Sequence, residues 1–511
     1  MKNSFKIIFF ITLILWAFAL AYPINPDYDL WTRLIVGNNF LANGKVMIND
    51  IFSYSPTHIW LDHEWGSGVI LSSLANFSKN LNINPLYVFS FFKSLMVLSI
   101  AFLTFLAVKK REPENSSPYQ ILYFVLSLFA VNMVYVSTVR CHMFTFFFFA
   151  LWLFILETYR KEQKKRLLII FPILMILWGN LHGGCLSGIG LLLIYSVGEF
   201  LNKKNPFPYL ITAFCSFLVL FINPYGTEYV RFLFEAGTMY RPWITEWQSP
   251  FVTPFLHLKF ILFFVFMLII ALIGAISSKF DIKNCDKTKV LTIFATGLIG
   301  VLFTKLTPFF VISSSVFMFD DVYKFLRNIK PLSFITNPEN KGVYAVILLL
   351  SLWTISSSNG QISINLKKYP YMPVQFMKEN QIGGNLFTDM TYGSFCVYKL
   401  FPQNKIFMDG RYEEVYNPDL LLTMKDFMRG EGKNPSAVIK DFPTDIVLLN
   451  IPKEHIVLPA EKILKEHNWK EIYSDKYWKI FVRPNYPIKT FKKIKFDKKN
   501  TMDTIFDTEI K

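Results

Sequence analysis

Two carboxylates stand one residue apart in Asn25-Pro26-Asp27-Tyr28-Asp29-Leu30-Trp31-Thr32-Arg33, and two more flank an imidazole in Trp60-Leu61-Asp62-His63-Glu64-Trp65. A carboxylate at the mouth of a cavity can act as a general base or as a metal ligand. Further along the chain come Arg140 and His142, Asn180 and His182, then Arg241 and Lys305. Arginine and lysine at headgroup depth suit a phosphate or pyrophosphate. Together these types suggest an acceptor deprotonated by a carboxylate and a lipid phosphate held by cations. Each also has a plainer reading. Asp27 can be a helix N-cap, Asp62-His63-Glu64 can be solvated charges in an aromatic belt, and each cation can be a snorkelling side chain.

The elements that must position these residues are membrane helices. Of 511 residues, 52% are apolar or aromatic, 18% are charged and 54 are Phe. A soluble chain carries roughly 25% charge, so this one has too little to wet its surface. Lys and Arg number 53 against 37 Asp and Glu, for a net charge of +16. That surplus in an apolar chain fits basic cytoplasmic loops and not a nucleic-acid partner. The composition likewise excludes a disordered chain, a coiled coil and a secreted mini-protein. The five Cys are scattered without a CxxC pair, which argues against a zinc ribbon or a disulfide framework.

Bridging a hydrocarbon core of roughly 30 Å takes about 20 apolar residues, and about eleven segments qualify. They lie near 5–22, 86–108, 119–139, 142–159, 167–180, 184–201, 207–222, 258–277, 290–304, 307–319 and 342–358. With that count, every basic cluster falls on one side: Lys2/Lys6, Lys109 to Arg111, Arg160 to Arg166, Lys203-Lys204, Lys279 to Lys289 and Lys324 to Lys330. The positive-inside rule makes that side the cytoplasm. The N-terminus is then inside and the chain after about 360 outside, in the cytoplasmic (inner) membrane. Segment 5–22 can alternatively be a signal peptide ending at Ala19-Leu20-Ala21.

All the candidate site residues then fall on the outer face. The first outer loop, 23–85, is too long to be a mere link. Leu30, Leu34 and Leu41 repeat at helical spacing up to Asn43-Gly44, which predicts an amphipathic helix on the interface. Asp29 and Arg33 are placed to pair along it. The second outer loop, 223–257, holds Arg231, Arg241, Glu246 and Trp247.

Asp27 to Trp31 after a first span, an outer helix, Asp50-Ile51-Phe52-Ser53-Tyr54 and Asp62-His63-Glu64-Trp65 resemble the GT-C superfamily of integral-membrane glycosyltransferases. The similarity is to the bacterial branch related to protein O-mannosyltransferases and lipid A aminoarabinose transferases. Asn180-Leu181-His182-Gly183-Gly184, Asn223-Pro224-Tyr225-Gly226, Tyr392-Gly393-Ser394 and Phe407 to Arg411 extend it over most of the chain. The resemblance implies that Asp27, or secondarily Asp29, is the catalytic base. It also implies a polyprenyl-phosphate sugar as donor, and a glycan, lipid or protein as acceptor. Arg140, His142, Arg241 and Lys305 become candidates for the donor phosphate. Asp62, His63, Glu64, Asn180 and His182 become candidates for the acceptor or for shaping the site. Some relatives hold a divalent metal through these acids and others none, so a metal on Asp27 and Asp29 stays open. Trp31-Thr32-Arg33 departs from the family's Trp-Trp-His. A lipid-linked glycan transporter and a scaffold subunit are the rival readings. Polar residues gathered at one face, without inverted repeats, speak against the transporter.

The expected organisation is a GT-C-like membrane domain over 1–360, an extracytoplasmic α/β domain over 361–487 and a basic tail over 488–511. In the α/β domain, 385–389, 393–400, 405–409 and 445–450 read as strands, and 418–430 and 459–467 as helices. Residues 473–483 read as a hairpin turning at Asp475-Lys476. Asp409-Gly410-Arg411-Tyr412-Glu413-Glu414, the most charged spot of this domain, reads as a strand-end turn with a structural Asp–Arg pair or, alternatively, as a site of acceptor recognition.

Overall fold

The computed structural model describes residues 26–111, 138–239, 241, 244–277, 283–329, 369–451, 458–487, 490–492 and 505–506, with single positions 11, 14, 15, 342 and 349. The segments 5–22, 119–139 and 342–358 and the tail 488–511 fall almost wholly outside the described residues. Two compact units divide the chain. One, the apolar unit, takes Met1–Ile24 and Ser90–Gln361; the other, the sheet unit, takes Asn25–Phe89 and Ile362–Lys511. The first outer loop thus packs with the C-terminal segment.

The sheet unit begins with α1 (Leu30–Asn43) and α2 (Trp65–Asn80). The expected outer helix is α1, closed as the sequence indicates by Gly44 in the left-handed region at φ 66°. It is not a surface helix, however: Leu30 through Gly37 are all buried. Its apolar stripe is only half the story, because α2 crosses it where two glycines face each other. A Cβ on Gly37 would lie 2.0 Å from the Gly68 carbonyl oxygen, so only glycine permits this crossing.

From there α3 (Pro85–Arg111) carries the chain into the apolar unit. It is followed by α4 (His142–Glu162), α5 (Ile170–Leu181), α6 (Leu186–Leu201) and α7 (Phe207–Leu218). Then come α8 (Thr227–Thr238), α9 (Leu258–Ser277), α10 (Lys287–Leu302), α11 (Thr307–Phe317) and α12 (Phe319–Asn328). Four described helices are long and apolar enough to cross a membrane: Pro85–Arg111, His142–Glu162, Gly183–Leu201 and Leu258–Ile276. They match four of the expected spans. The 12 residues of α5 rise only about 18 Å, too little to cross a bilayer upright.

The basic loops meet in one place. Arg111 at the end of α3 donates to Glu157 of α4 at 2.7 Å, and Arg160 of α4 pairs with Glu199 of α6 at 2.8 Å and with Asp286 at 3.0 Å. Asp286 in turn caps α10 by accepting the Thr288 and Lys289 N–H groups, and the Tyr195 hydroxyl donates to Glu157 at 2.7 Å. Basic clusters from three separate parts of the chain therefore share one end of the helices.

Back in the sheet unit, α13 (Tyr371–Glu379) leads to β1 (Gly384–Phe387), α14 (Met390–Leu400) and β2 (Asn404–Ile406). Next are α15 (Pro418–Arg429), α16 (Ala437–Lys440), β3 (Ile446–Asn450), α17 (Pro459–Glu466), β4 (Lys470–Ser474) and β5 (Trp478–Val482). The sheet order is β2-β1-β3-β5-β4, with the first three strands parallel and β5 antiparallel to both β3 and β4. The hairpin turns at Asp475, whose Oδ1 accepts the Tyr477 and Trp478 N–H groups at 2.7 and 2.8 Å. One expected strand, 393–400, is instead the helix α14. Asp389 caps it by accepting the Thr391 N–H at 2.9 Å. Because Gly393 through Leu400 are buried on every side, the segment lacks the polar face by which a helix is read from sequence.

Candidate functional site

At the other end of α4, just before its N-terminus, Arg140 is ion-paired with Glu246. Glu246 belongs to a short turn, Thr245–Trp247. The Arg241 guanidinium lies 4.4 Å from the centre of the Trp247 ring, and the Lys305 ammonium lies 5.1 Å from it. Two loops are locked together to make this group. Thr304, which opens the turn carrying Lys305, donates both its N–H and its hydroxyl to the Gln248 carbonyl at 2.9 Å. Burial alone would raise the Glu246 carboxyl, but the charges of Arg140 and Lys305 hold it below its ordinary value. Three of the four expected phosphate residues, Arg140, Arg241 and Lys305, are thus gathered around one carboxylate and one indole.

The fourth, His142, forms a ring pair with His182, centroids 4.7 Å apart. His182 Nδ1 accepts the Gly184 N–H at 2.9 Å and lies 2.8 Å from the Thr145 hydroxyl. The Thr145 oxygen accepts the Trp178 indole N–H at 3.0 Å, so its own proton points to the imidazole. With Nδ1 an acceptor, a neutral His182 carries its proton on Nε2. Gly184 makes room for this: a Cβ there would sit 2.5 Å from the Thr145 hydroxyl. Asn180 has a different task. Its amide donates to the Ile176 and Ile222 carbonyls at 2.8 and 2.9 Å and accepts from Asn223 at 3.0 Å, fastening the end of α5 to the second outer loop.

The acids of the first outer loop lie in the sheet unit. Asp27, 8% exposed, accepts the Asp29 N–H at 3.1 Å in the turn ahead of α1. Asp29 occupies the N-cap position without a side-chain cap bond. Gly410 packs against it; a Cβ there would lie 2.8 Å from Asp29 Oδ1. Tyr28 makes edge contact with Tyr392, centroids 5.8 Å apart. Burial, with the charges of Asp27 and Asp389, pushes the Tyr28 phenol up to about 12. At neutral pH the phenol therefore stays protonated, and the proton acceptors of this group are carboxylates.

Asp62, His63 and Glu64 form a separate, closed network around Arg33. The Arg33 guanidinium is paired with Asp62 and lies 3.6 Å from Glu64 and 3.5 Å from Glu414. Glu414 also accepts the Trp60 indole N–H at 2.8 Å and holds His63 Nδ1 at 2.8 Å. Burial works against the imidazolium, yet Glu414, Glu64 and Glu413 lift His63 to about 9. Beside it, Arg411 donates from Nε to Asp409 at 2.9 Å and from Nη1 to Asp50 at 2.8 Å, with its guanidinium 4.5 Å from the Trp60 ring centre. The expected Asp409–Arg411 pair is present.

Among the described residues, no group of three His, Cys, Asp or Glu could hold a metal ion. The sequence reading missed Asp389, Thr145, Trp178 and the closing role of Glu414. A capping Asp ahead of a buried helix and a Thr inside a Phe-rich span give no local signal.

No protein-family model and no curated protein matches the chain. Solved structures do. The oligosaccharyltransferase of Archaeoglobus fulgidus in its apo form superposes with a TM-score of 0.60 over 86% of this chain and 69% of its own, at 11% identity. AglB from the same organism, in complex with an inhibitory peptide and a dolichol-phosphate, gives 0.58 over 88% and 69%, also at 11%. An archaeal structure with Zn and sulfate gives 0.54 over 87% and 68%, at 9%. The mycobacterial arabinofuranosyltransferase AftD gives 0.51 over 94% of this chain and 40% of its own, at 9% identity. The chain therefore has the GT-C fold and is a multi-pass membrane protein.

Proposed function

We propose that this protein is an inverting membrane glycosyltransferase that takes a sugar from a polyprenyl-phosphate donor on the outer face of the cytoplasmic membrane. The observation that carries this reading is the gathering of Arg140, Arg241 and Lys305 about Glu246 and Trp247. Arginine and lysine side chains gathered in this way suit a phosphate, and a lipid phosphate is an anion available to a membrane protein. AglB, with its dolichol-phosphate, is a structural neighbour that binds a ligand of this class.

In the reaction, Asp27 takes the proton of the acceptor hydroxyl or amine as that atom attacks the anomeric carbon. The bond from the anomeric carbon to the phosphate oxygen breaks with inversion. The lipid phosphate leaves with the electron pair, stabilised by Arg140, Arg241 and Lys305. His182, with its proton on Nε2, acts as a hydrogen-bond donor beside His142. A glycan, a lipid or a protein can each supply the acceptor group.

Asp27→Asn removes the base and keeps the acceptor oxygen for the Asp29 N–H. Sugar transfer should be abolished while thermal stability in detergent is retained. An Asn variant with full transfer would show that Asp27 is not the base. Asp29→Asn is to be measured in parallel, because Asp29 occupies the N-cap position of α1.

A further inference from the structure

The segment that follows Trp247 carries no Asp, Glu, Lys or Arg from Gln248 through Leu258. Two consecutive turns shape it, with the Val252 N–H donating to the Ser249 carbonyl at 3.0 Å and the Leu256 N–H to Thr253 at 3.1 Å. Its base is fixed. Ser249 donates to the Val301 carbonyl at 2.6 Å, the Gln248 carbonyl accepts from Thr304, and Phe251 packs edge-on against Phe264 of α9. From this fixed base the tip projects large apolar side chains outward. Phe255 is 93% exposed and Leu256 77%, and Val252 is exposed as well.

Water is a poor partner for such a surface, and what adjoins it is a membrane-spanning helix. The exposed face of α9 continues directly from the tip through Leu258, Leu262, Val265, Leu268, Leu272 and Ile276. Burial pushes the His257 imidazole below its ordinary value, and the one charge between the tip and Leu262 is the exposed Lys259, whose long side chain can snorkel to the headgroups. We infer that residues 251–256 dip into the bilayer, with Phe255 and Leu256 entering the acyl boundary at the mouth of α9. Gln248, bonded to Thr304, separates this tip from Trp247, so the insertion anchors the Arg241, Trp247 and Lys305 group near headgroup depth. The insertion itself rests only on the spanning helices; its consequence for a donor phosphate rests on the proposed glycosyl transfer.

The test is a depth measurement on the full-length protein in lipid nanodiscs, in a background with Cys215→Ser and Cys285→Ser. Nitroxides placed by Phe255→Cys and Leu256→Cys should be more accessible to oxygen than to a water-soluble nickel chelate. They should match a Leu268→Cys label within α9 and show the reverse of a Glu431→Cys label, which lies on exposed surface of the sheet unit. In a second measurement, a Val252→Cys label should lose its oxygen preference severalfold when Phe255→Asp and Leu256→Asp are introduced. Chelate accessibility at 255 and 256 equal to that at 431, or an unchanged ratio at 252, overturns the inference. Neither readout involves sugar transfer, so failure of the insertion and failure of the enzymatic reading are separable.

Discussion

A charged cluster stands at each end of α4, and the two are built on opposite balances. At the C-terminal end, Arg111, Arg160 and Lys204 meet Glu157, Glu199 and Asp286, cation for carboxylate. At the N-terminal end, an indole joins the carboxylate Glu246. Arg241 and Lys305 lie over Trp247, and Glu246 answers Arg140. A carboxylate fixes a cation by cancelling its charge, whereas an aromatic face adds a contact without adding a negative charge. The first arrangement fastens helices; in the function proposed above, the second also receives an anion. The Arg33 network of the sheet unit is of the first kind.

The sharpest way to break this contrast is Arg160→Leu. It strips a common partner from Glu157, Glu199 and Asp286 and should cost about 3–5 kcal/mol of stability. Thermal unfolding in detergent should show a large fall in Tm, and an unchanged Tm would mean that the balanced end fastens nothing. In the sheet unit the corresponding experiment is a pH series. His63 binds its proton more tightly when folded, at about 9 against an ordinary 6.5. Its stabilising contribution is therefore complete below pH 6.5 and disappears as the pH rises through 9. The Tm difference between wild type and His63→Gln should shrink over that interval, from a contribution of up to about 3 kcal/mol. At the indole end the signature is kinetic. Arg241→Gln should raise the donor KM about 10- to 100-fold with little change in Tm, while Glu246→Gln should leave donor KM unchanged or lower and shift stability by less than about 1 kcal/mol. A Tm loss in Arg241→Gln as large as that in Arg160→Leu would erase the distinction.

Much of this was legible in the sequence where the signal is local. Leu30, Leu34, Leu41 and Gly44 announced α1, Asp475 announced the hairpin, and the Lys/Arg loops announced a common side that the Arg111, Arg160 and Asp286 contacts bear out. Sidedness also selected Arg140, Arg241 and Lys305 before any contact was known. What stayed hidden depends on distant partners. Asp62-His63-Glu64 stands alone in the sequence; its ties to Arg33 and Glu414 follow only once Glu414 arrives from the far end of the chain. A helix buried all round, as α14 is, has no polar stripe to betray it. Thr145 reads as one more residue of an apolar span until His182 and Trp178 fold against it.

The division of the sheet unit into two stretches of sequence has a consequence in time. A ribosome delivers Arg33, Asp50 and Trp60 with the first stretch, and must then thread every span of the apolar unit before it makes Glu414 and Arg411. At about 5–20 residues per second, the early half waits tens of seconds without the partners that close it. During that interval Arg33 has Asp62 and Glu64 of its own stretch to pair with, and the pairs made by Glu414 and Arg411 close last.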